Sequence, residues 1–112
     1  MKTATTVLVI ATAAALQTTA LACDKVWNDV CFTYAANDDV YWGTNCDFAA
    51  RDITSMRGGA DKCGGFCKST PSCERWSWND YQGGTCWLKA KAPFDLIQKQ
   101  GVNCGFRKFP RS

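Results

Sequence analysis

Eight cysteines constrain what this chain of 112 residues can fold into more than any other feature of its sequence. They are Cys23, Cys31, Cys46, Cys63, Cys67, Cys73, Cys86 and Cys104. An even number of cysteines in a short chain indicates a disulfide framework when the chain is exported to an oxidising compartment. Eight cysteines can be paired in on the order of a hundred ways, so their spacing alone does not fix the bridges.

The first 22 residues have the pattern of a secretory signal peptide. Lys2 supplies a positive charge, an apolar run follows over residues 7–16, and Ala20 and Ala22 are the small residues that precede a cleavage site. The run is too short to span a bilayer, so we expect no membrane span in the mature chain. Cys23 after the cleavage site would also allow a lipid anchor, but Ala20 stands where lipoprotein signals usually have a leucine-like residue. We therefore expect a secreted, extracellular protein.

The composition of the mature chain limits its possible ligands. Removal of the first 22 of the 112 residues leaves 90 residues, with 12 basic and 10 acidic side chains and a net charge of +2. So small an excess argues against a nucleic-acid binder, which would carry a basic stripe. The chain has no histidine, and Cys63 and Cys67 have no second pair at zinc-finger spacing. We therefore expect no metal and no other cofactor.

Residues 60–68 are predicted to form a helix. Cys63, Phe66 and Cys67 are spaced at i, i+3 and i+4, which places all three on one helical face. The Gly-Gly pair inside the segment costs up to about 1 kcal/mol per glycine relative to alanine, and the proline that follows ends the helix. A helix this weak needs tethering from outside, and two of its inward residues are cysteines.

Alternating apolar and polar residues predict strands elsewhere. Residues 74–79 and 85–89 alternate and are joined by a loop with a Gly-Gly pair, which is typical of a β-hairpin. Residues 45–48 and 102–107 alternate as well, whereas residues 23–41 are interpreted as an extended arm or a first strand with a loop. The expected fold class is α+β, a small disulfide-rich, twisted antiparallel sheet with one helix packed across it.

The stretch from Cys46 to Cys104 resembles the PAN/Apple domain family. The resemblance is carried by Asn45-Cys46-Asp47-Phe48, Arg51-Asp52-Ile53, Ala60-Asp61-Lys62-Cys63, Cys67-Lys68-Ser69-Thr70-Pro71-Ser72-Cys73, Trp76-Ser77-Trp78-Asn79 and Gly83-Gly84-Thr85-Cys86-Trp87-Leu88-Lys89. The phrases C-K-x-T-P-x-C and G-G-T-C-W-L-K look most like the compact PAN domains of secreted oomycete proteins. The family's fold, a twisted antiparallel sheet crossed by one helix, agrees with the outline above.

The resemblance also implies a disulfide pairing and a division of the chain. Carried onto these positions, the usual connectivity joins Cys46 to Cys104, Cys63 to Cys86 and Cys67 to Cys73. Cys23 and Cys31 are then left to form an additional bridge. The chain divides into a signal peptide (1–22), an N-terminal arm with the extra cysteine pair (23–41), a PAN/Apple-like domain (42–108) and a tail (109–112). The sequence departs from the family pattern in the glycines around the helix and in a longer, more apolar segment over 90–101.

Binding is a better interpretation of this composition than catalysis. Without histidine, and with every cysteine expected in a bridge, the chain lacks a nucleophile paired with a base, so we expect no enzyme. PAN/Apple domains mediate contacts with proteins or carbohydrates, so the resemblance implies a glycan or an extracellular protein as the partner of a monomeric module. The alternatives are a secreted effector or adhesin that acts through protein contacts, and a cell-wall structural component.

The outward face of the predicted hairpin is the candidate ligand-binding surface. Trp87 and Lys89 alternate with Leu88, so they should point away from the helix. Arg75 lies on the corresponding face of the preceding strand, and Tyr81 lies in the loop between the strands. An aromatic plane flanked by cations suits either a sugar ring or an acidic peptide.

Alternative uses of the aromatic and apolar residues stay open at this point. Trp76 and Trp78 are interpreted as core residues, and packing beneath the 90–101 segment is an equal alternative for Trp87. Phe94, Leu96 and Ile97 could form an apolar protein-binding loop, although we favour a loop folded over the sheet. The other aromatic candidates for a glycan site are Trp27, Tyr34, Tyr41 and Trp42.

Overall fold

A computed structural model describes residues 22–92 and 95–108 of the chain. Its strands are β1 Lys25–Trp27, β2 Val30–Ala35, β3 Val40–Phe48, β4 Asp52–Arg57, β5 Arg75–Asn79, β6 Thr85–Lys89 and β7 Leu96–Arg107. The helix α1 is Cys63–Ser69, and 3₁₀ turns cover Ala60–Lys62 and Tyr81–Gly83. The predicted α+β class is confirmed. Residues 1–21 of the predicted signal peptide and the predicted tail 109–112 lie outside the described residues.

The seven strands form one sheet in the order β1-β2-β3-β7-β5-β6-β4, and every pairing is antiparallel. The predicted hairpin is confirmed as β5 and β6, in which Arg75 lies opposite Lys89. The last strand, β7, is inserted between β3 and β5, so it is the central strand of the sheet.

Four segments differ from the sequence prediction. Strand β3 begins at Val40, five residues before the predicted start at Asn45. Residues 23–41 contain a hairpin, β1–β2, whose two-residue turn uses the positive φ angles of Asn28 (51°) and Asp29 (62°). Strand β7 begins at Leu96, six residues before the predicted start, so much of the expected 90–101 loop is strand. Strand β4 was not predicted because all six of its residues are exposed, and no apolar alternation marks it.

The helix is shorter than predicted, because residues 60–62 form a 3₁₀ turn and α1 proper starts at Cys63. It ends before Pro71 as expected, and the Thr70 hydroxyl donates a hydrogen bond to the carbonyl oxygen of Phe66 at 2.7 Å. None of the described helices is long and apolar enough to cross a bilayer.

Two hydrophobic cores lie on opposite faces of the sheet. The helix-side core lies under α1 and consists of Val40, Cys63, Cys67, Cys73, Trp76, Cys86 and Leu88. The aromatic core lies under the β1–β2 hairpin and consists of Val30, Phe32, Cys46, Phe48, Leu96, Cys104 and Phe106, with Trp27 and Tyr41 packed against it. The 23–41 segment is therefore the cover of a second core rather than an accessory arm.

Four disulfides join these elements, and they are the pairs expected above. Cys63–Cys86 ties α1 to β6, and Cys67–Cys73 ties α1 to the segment entering β5. Cys46–Cys104 joins β3 to β7 inside the aromatic core, and Cys23–Cys31 links β2 to the residues before β1. So many bridges in a small domain fit an extracellular or secreted protein.

Candidate functional site

The structure places the four predicted ligand-binding residues on one side of the β5–β6 hairpin. Arg75 lies opposite Lys89, and Ser77 lies opposite Trp87, so these side chains point to the face away from α1. Tyr81 lies in the connecting turn, with its ring centroid 5.9 Å from that of Trp87. The four residues nevertheless form two separate pairs, one aromatic and one cationic.

The two cations of the predicted site are engaged within the protein. The Arg75 Nε donates to Asp95 at 3.0 Å, and its guanidinium lies 5.3 Å from the ring centroid of Trp27. The Lys89 Nζ lies 2.6 Å from the Asp52 carboxylate, and Lys89 is only 8% exposed. Because each cation already has a carboxylate partner, the pair leaves little charge for a ligand.

The aromatic pair is more accessible than the cations. Tyr81 is 53% exposed, whereas Trp87 is half-buried and its indole Nε1 donates to Asn79 at 3.0 Å.

The two tryptophans expected in the core differ in burial. Trp76 is buried, but Trp78 is half-buried, and its indole Nε1 donates to the carbonyl oxygen of Gly58 at 2.8 Å.

The predicted apolar loop does not form a continuous exposed patch in the described residues. Leu96 is buried in the aromatic core, whereas Ile97 is 42% exposed on β7. Phe94 lies outside the described residues.

A groove on the helix side of the sheet brings together residues that the sequence did not assemble. Trp42 lies two residues after Val40 on β3, so it points to the same face of the sheet as this residue of the helix-side core. Trp42 is 43% exposed. Trp42 lies opposite Gly105, which lies opposite Trp76 on the next strand. A Cβ atom at Gly105 would lie 2.0 Å from the Trp76 ring, so this glycine is what allows the ring to lie across β7 toward Trp42.

Polar side chains surround the exposed indole. The cavity, of about 510 Å³, is lined by both tryptophans and by the polar residues Asn37, Asp38, Asp61 and Asn103. It has no lysine or arginine among its described lining residues. We call this cavity the Trp42 groove. An accessible aromatic face with a few convergent amides and carboxylates can bind a ring that is apolar on its faces and hydroxylated at its edge.

The sequence contained one signal for this groove. Val40, Trp42 and Thr44 occupy every second position of β3, so this spacing places Trp42 on the same face as Val40, which is a core residue. The polar residues come from the β2–β3 turn, the 3₁₀ turn before α1 and β7, and only the folded sheet brings these three segments together.

No protein-family model matches this chain, and no curated protein matches it at a significant level. In the part of the chain that the structure describes, no group of three potential metal-ligating residues is close enough to hold an ion.

Proposed function

We propose that this protein is a secreted, non-catalytic binding module that recognises carbohydrate through the Trp42 groove. The observation that carries the proposal is the indole of Trp42, which is 43% exposed on the antiparallel sheet and is bordered by two amides and two carboxylates. The exposed part of the Trp42 indole is available to stack against a ligand. Sugar rings offer C–H faces for the indole and hydroxyl groups for the amide and carboxylate atoms.

The resemblance to PAN/Apple domains supports the same class of function, since those domains bind carbohydrates or proteins. The disulfide connectivity and the helix lying across a sheet agree with that family, and the signal-like N-terminal sequence supports secretion. Neutral hexoses are the expected ligands, because the described groove offers carboxylates but no cation to pair with an acidic sugar.

A protein partner bound at Tyr81 and Trp87 is the second candidate. Tyr81 is the more exposed of these two contacting rings, and neither residue lines the Trp42 groove. The two surfaces lie on opposite faces of the sheet, so single substitutions separate them.

The test is a screen of neutral oligosaccharides, followed by titration of the best ligand against Trp42→Ala and Tyr81→Ala. We expect Trp42→Ala to weaken binding about tenfold or more, the effect of losing an aromatic anchor, while Tyr81→Ala changes it less than about twofold. Both positions are exposed, so both variants should keep the wild-type thermal midpoint within a few degrees. The two substitutions are thus matched in chemistry and exposure.

Either of two results would contradict the proposal. One is that no neutral glycan binds at millimolar concentration. The other is that Tyr81→Ala removes binding while Trp42→Ala retains it, which would place the site at the Tyr81–Trp87 surface.

A further inference from the structure

A second cavity, of about 450 Å³, lies on the opposite face of the sheet from the Trp42 groove. It opens between β1 and the ends of β5 and β7. Its wall includes Phe106 of the aromatic core and Trp27, which packs against that core. Five cations line it, and the one acidic residue among its described lining residues is Glu74, which is 7% exposed. The cations are Lys25, Arg75, Lys91, Arg107 and Lys108. We call this cavity the basic cleft.

Positive charge is more concentrated at the basic cleft than in the chain as a whole. The complete sequence carries a formal net charge of only +3, yet five cations and one acid meet at this one cavity. Asp95 pairs with Arg75 and Glu74 adds a second negative charge, so the cleft keeps an excess of positive charge that a ligand of opposite sign can neutralise. The charge distribution therefore points to an anionic ligand.

The lysines are better placed than the arginine Arg75 to meet such a ligand. The guanidinium of Arg75 is already held by Asp95 and by aromatic rings. Lys25 and Lys91 are exposed, and neither has an acidic partner within ion-pair distance in residues 22–92 and 95–108. The Lys25 Nζ lies 5.7 Å from the Tyr41 ring centroid, which holds the ammonium at the edge of the cleft.

We propose that the basic cleft binds an acidic polysaccharide, one whose sugars carry carboxylate or sulfate groups. Flexible lysine ammonium groups act as point charges and suit anions spaced along a chain, whereas a paired-donor fork suits a single phosphate. An acidic peptide is less favoured because β1, the sheet edge at the cleft, is only three residues long and offers little backbone for strand addition.

The experiment measures affinity for oligogalacturonate, dextran sulfate, neutral dextran and poly-glutamate at several salt concentrations. The test variant is Lys25→Gln/Lys91→Gln, and the control of equal charge change is Lys62→Gln/Lys99→Gln, which removes two exposed lysines outside both cavities, one of them 3.8 Å from Asp47. We expect at least one acidic polysaccharide to bind, with an affinity that falls as salt rises. The test variant should weaken that binding about tenfold and flatten its salt dependence, and the control should change it less than about twofold.

Which acidic polysaccharide binds assigns the anionic group: oligogalacturonate indicates carboxylate, and dextran sulfate indicates sulfate. Equal losses in the two lysine pairs would overturn the proposal, since net charge alone would then explain the binding. Tighter binding of poly-glutamate than of either polysaccharide would overturn it in favour of a peptide partner. Loss of acidic-polysaccharide binding in Trp42→Ala would also overturn it, because the ligand would then occupy the Trp42 groove.

Discussion

The two faces of the sheet are stabilised by different chemistry. The helix-side core contains four of the eight cysteines, joined as two disulfides around α1, and Trp76 is the one aromatic among its fully buried described residues, with Phe66 and Trp78 packed against it. The aromatic core contains three phenylalanines and one disulfide, and Trp27 and Tyr41 pack against it. The Phe106 ring lies 5.0 Å from Phe32, 5.2 Å from Tyr41 and 5.3 Å from Trp27, so this core is held by ring packing across four strands.

Close packing of α1 on the helix-side core explains why Gly64 occurs inside the short helix. A Cβ atom at Gly64 would lie 3.0 Å from the Val40 side chain and 3.3 Å from the Asp38 carboxylate. The glycine therefore lets α1 approach β3 closely, at a cost in helix stability that the two disulfides offset. The aromatic core is stabilised mainly by buried apolar area, whereas the helix-side core depends on its disulfides.

The largest expected effect is the loss of the disulfides. In the chain-entropy model Cys46–Cys104 contributes about 4 kcal/mol and Cys63–Cys86 about 3 kcal/mol, which is a large share of the stability of a domain this small. We expect complete reduction to unfold the domain at 37 °C, measured as loss of near-UV tryptophan ellipticity. If the near-UV spectrum persists after thiol titration shows all bridges to be open, ring packing alone sustains the fold.

Removing single bridges sharpens the same comparison. Cys63→Ala/Cys86→Ala should lower the free energy of unfolding by about 3 kcal/mol and release α1. The matched control is Cys23→Ala/Cys31→Ala. This bridge closes a shorter loop, and Cys31 is exposed, so its removal should lower the free energy of unfolding by only about 2 kcal/mol. Hydrogen exchange should rise in α1 in the first variant only. Equal exchange in both variants would mean that the helix does not depend on its own bridge.

Sequence patterns predicted the helix-side architecture better than the aromatic side. The hairpin β5–β6 and the facing of Cys63 and Cys67 followed from period-two and period-3.6 spacing, which are local properties. The β1–β2 hairpin was missed because it covers a core that only distant strands complete. Strand β4 was missed because its exposed residues carry no apolar alternation.

The candidate sites were harder to predict, for a different reason. Alternation placed Arg75, Lys89 and Trp87 on one face, and that placement agrees with the register. The partners of the two cations could not be foreseen, since Asp95 lies 20 residues from Arg75 and Asp52 lies 37 residues from Lys89. The Trp42 groove requires three separate segments and the missing side chain of Gly105, so no local pattern indicates it.

An intermediate effect is expected from Gly105→Ala, which tests the packing beneath the groove. The new methyl group would overlap the Trp76 ring, and Trp76 is only 3% exposed, so it cannot move without opening the helix-side core. We expect the free energy of unfolding to fall by about 3 kcal/mol, measured by urea denaturation. The control is Gly101→Ala, where nothing lies within 4 Å and only the positive φ of 86° is strained, at about 1 kcal/mol. Equal losses would show that Trp76 has room to move.

The smallest expected effect is a titration on the hairpin side, where the Tyr34 hydroxyl donates a hydrogen bond to Asp39 at 2.7 Å. This bond, followed by burial and the negative charge of Asp39, raises the pKa of Tyr34 above its ordinary value of 10.0. Because the folded-state pKa is raised, the stabilisation is present below the ordinary pKa of tyrosine and is lost as pH rises through the raised value. Asp39→Asn keeps a residue that tolerates the positive φ of 55° but removes the charge. In absorbance titrations at alkaline pH, the variant should therefore ionise one tyrosine at lower pH than the wild type, and Tyr34→Phe should remove that transition. Superimposable curves for the wild type and Asp39→Asn would show that Asp39 does not control this hydroxyl.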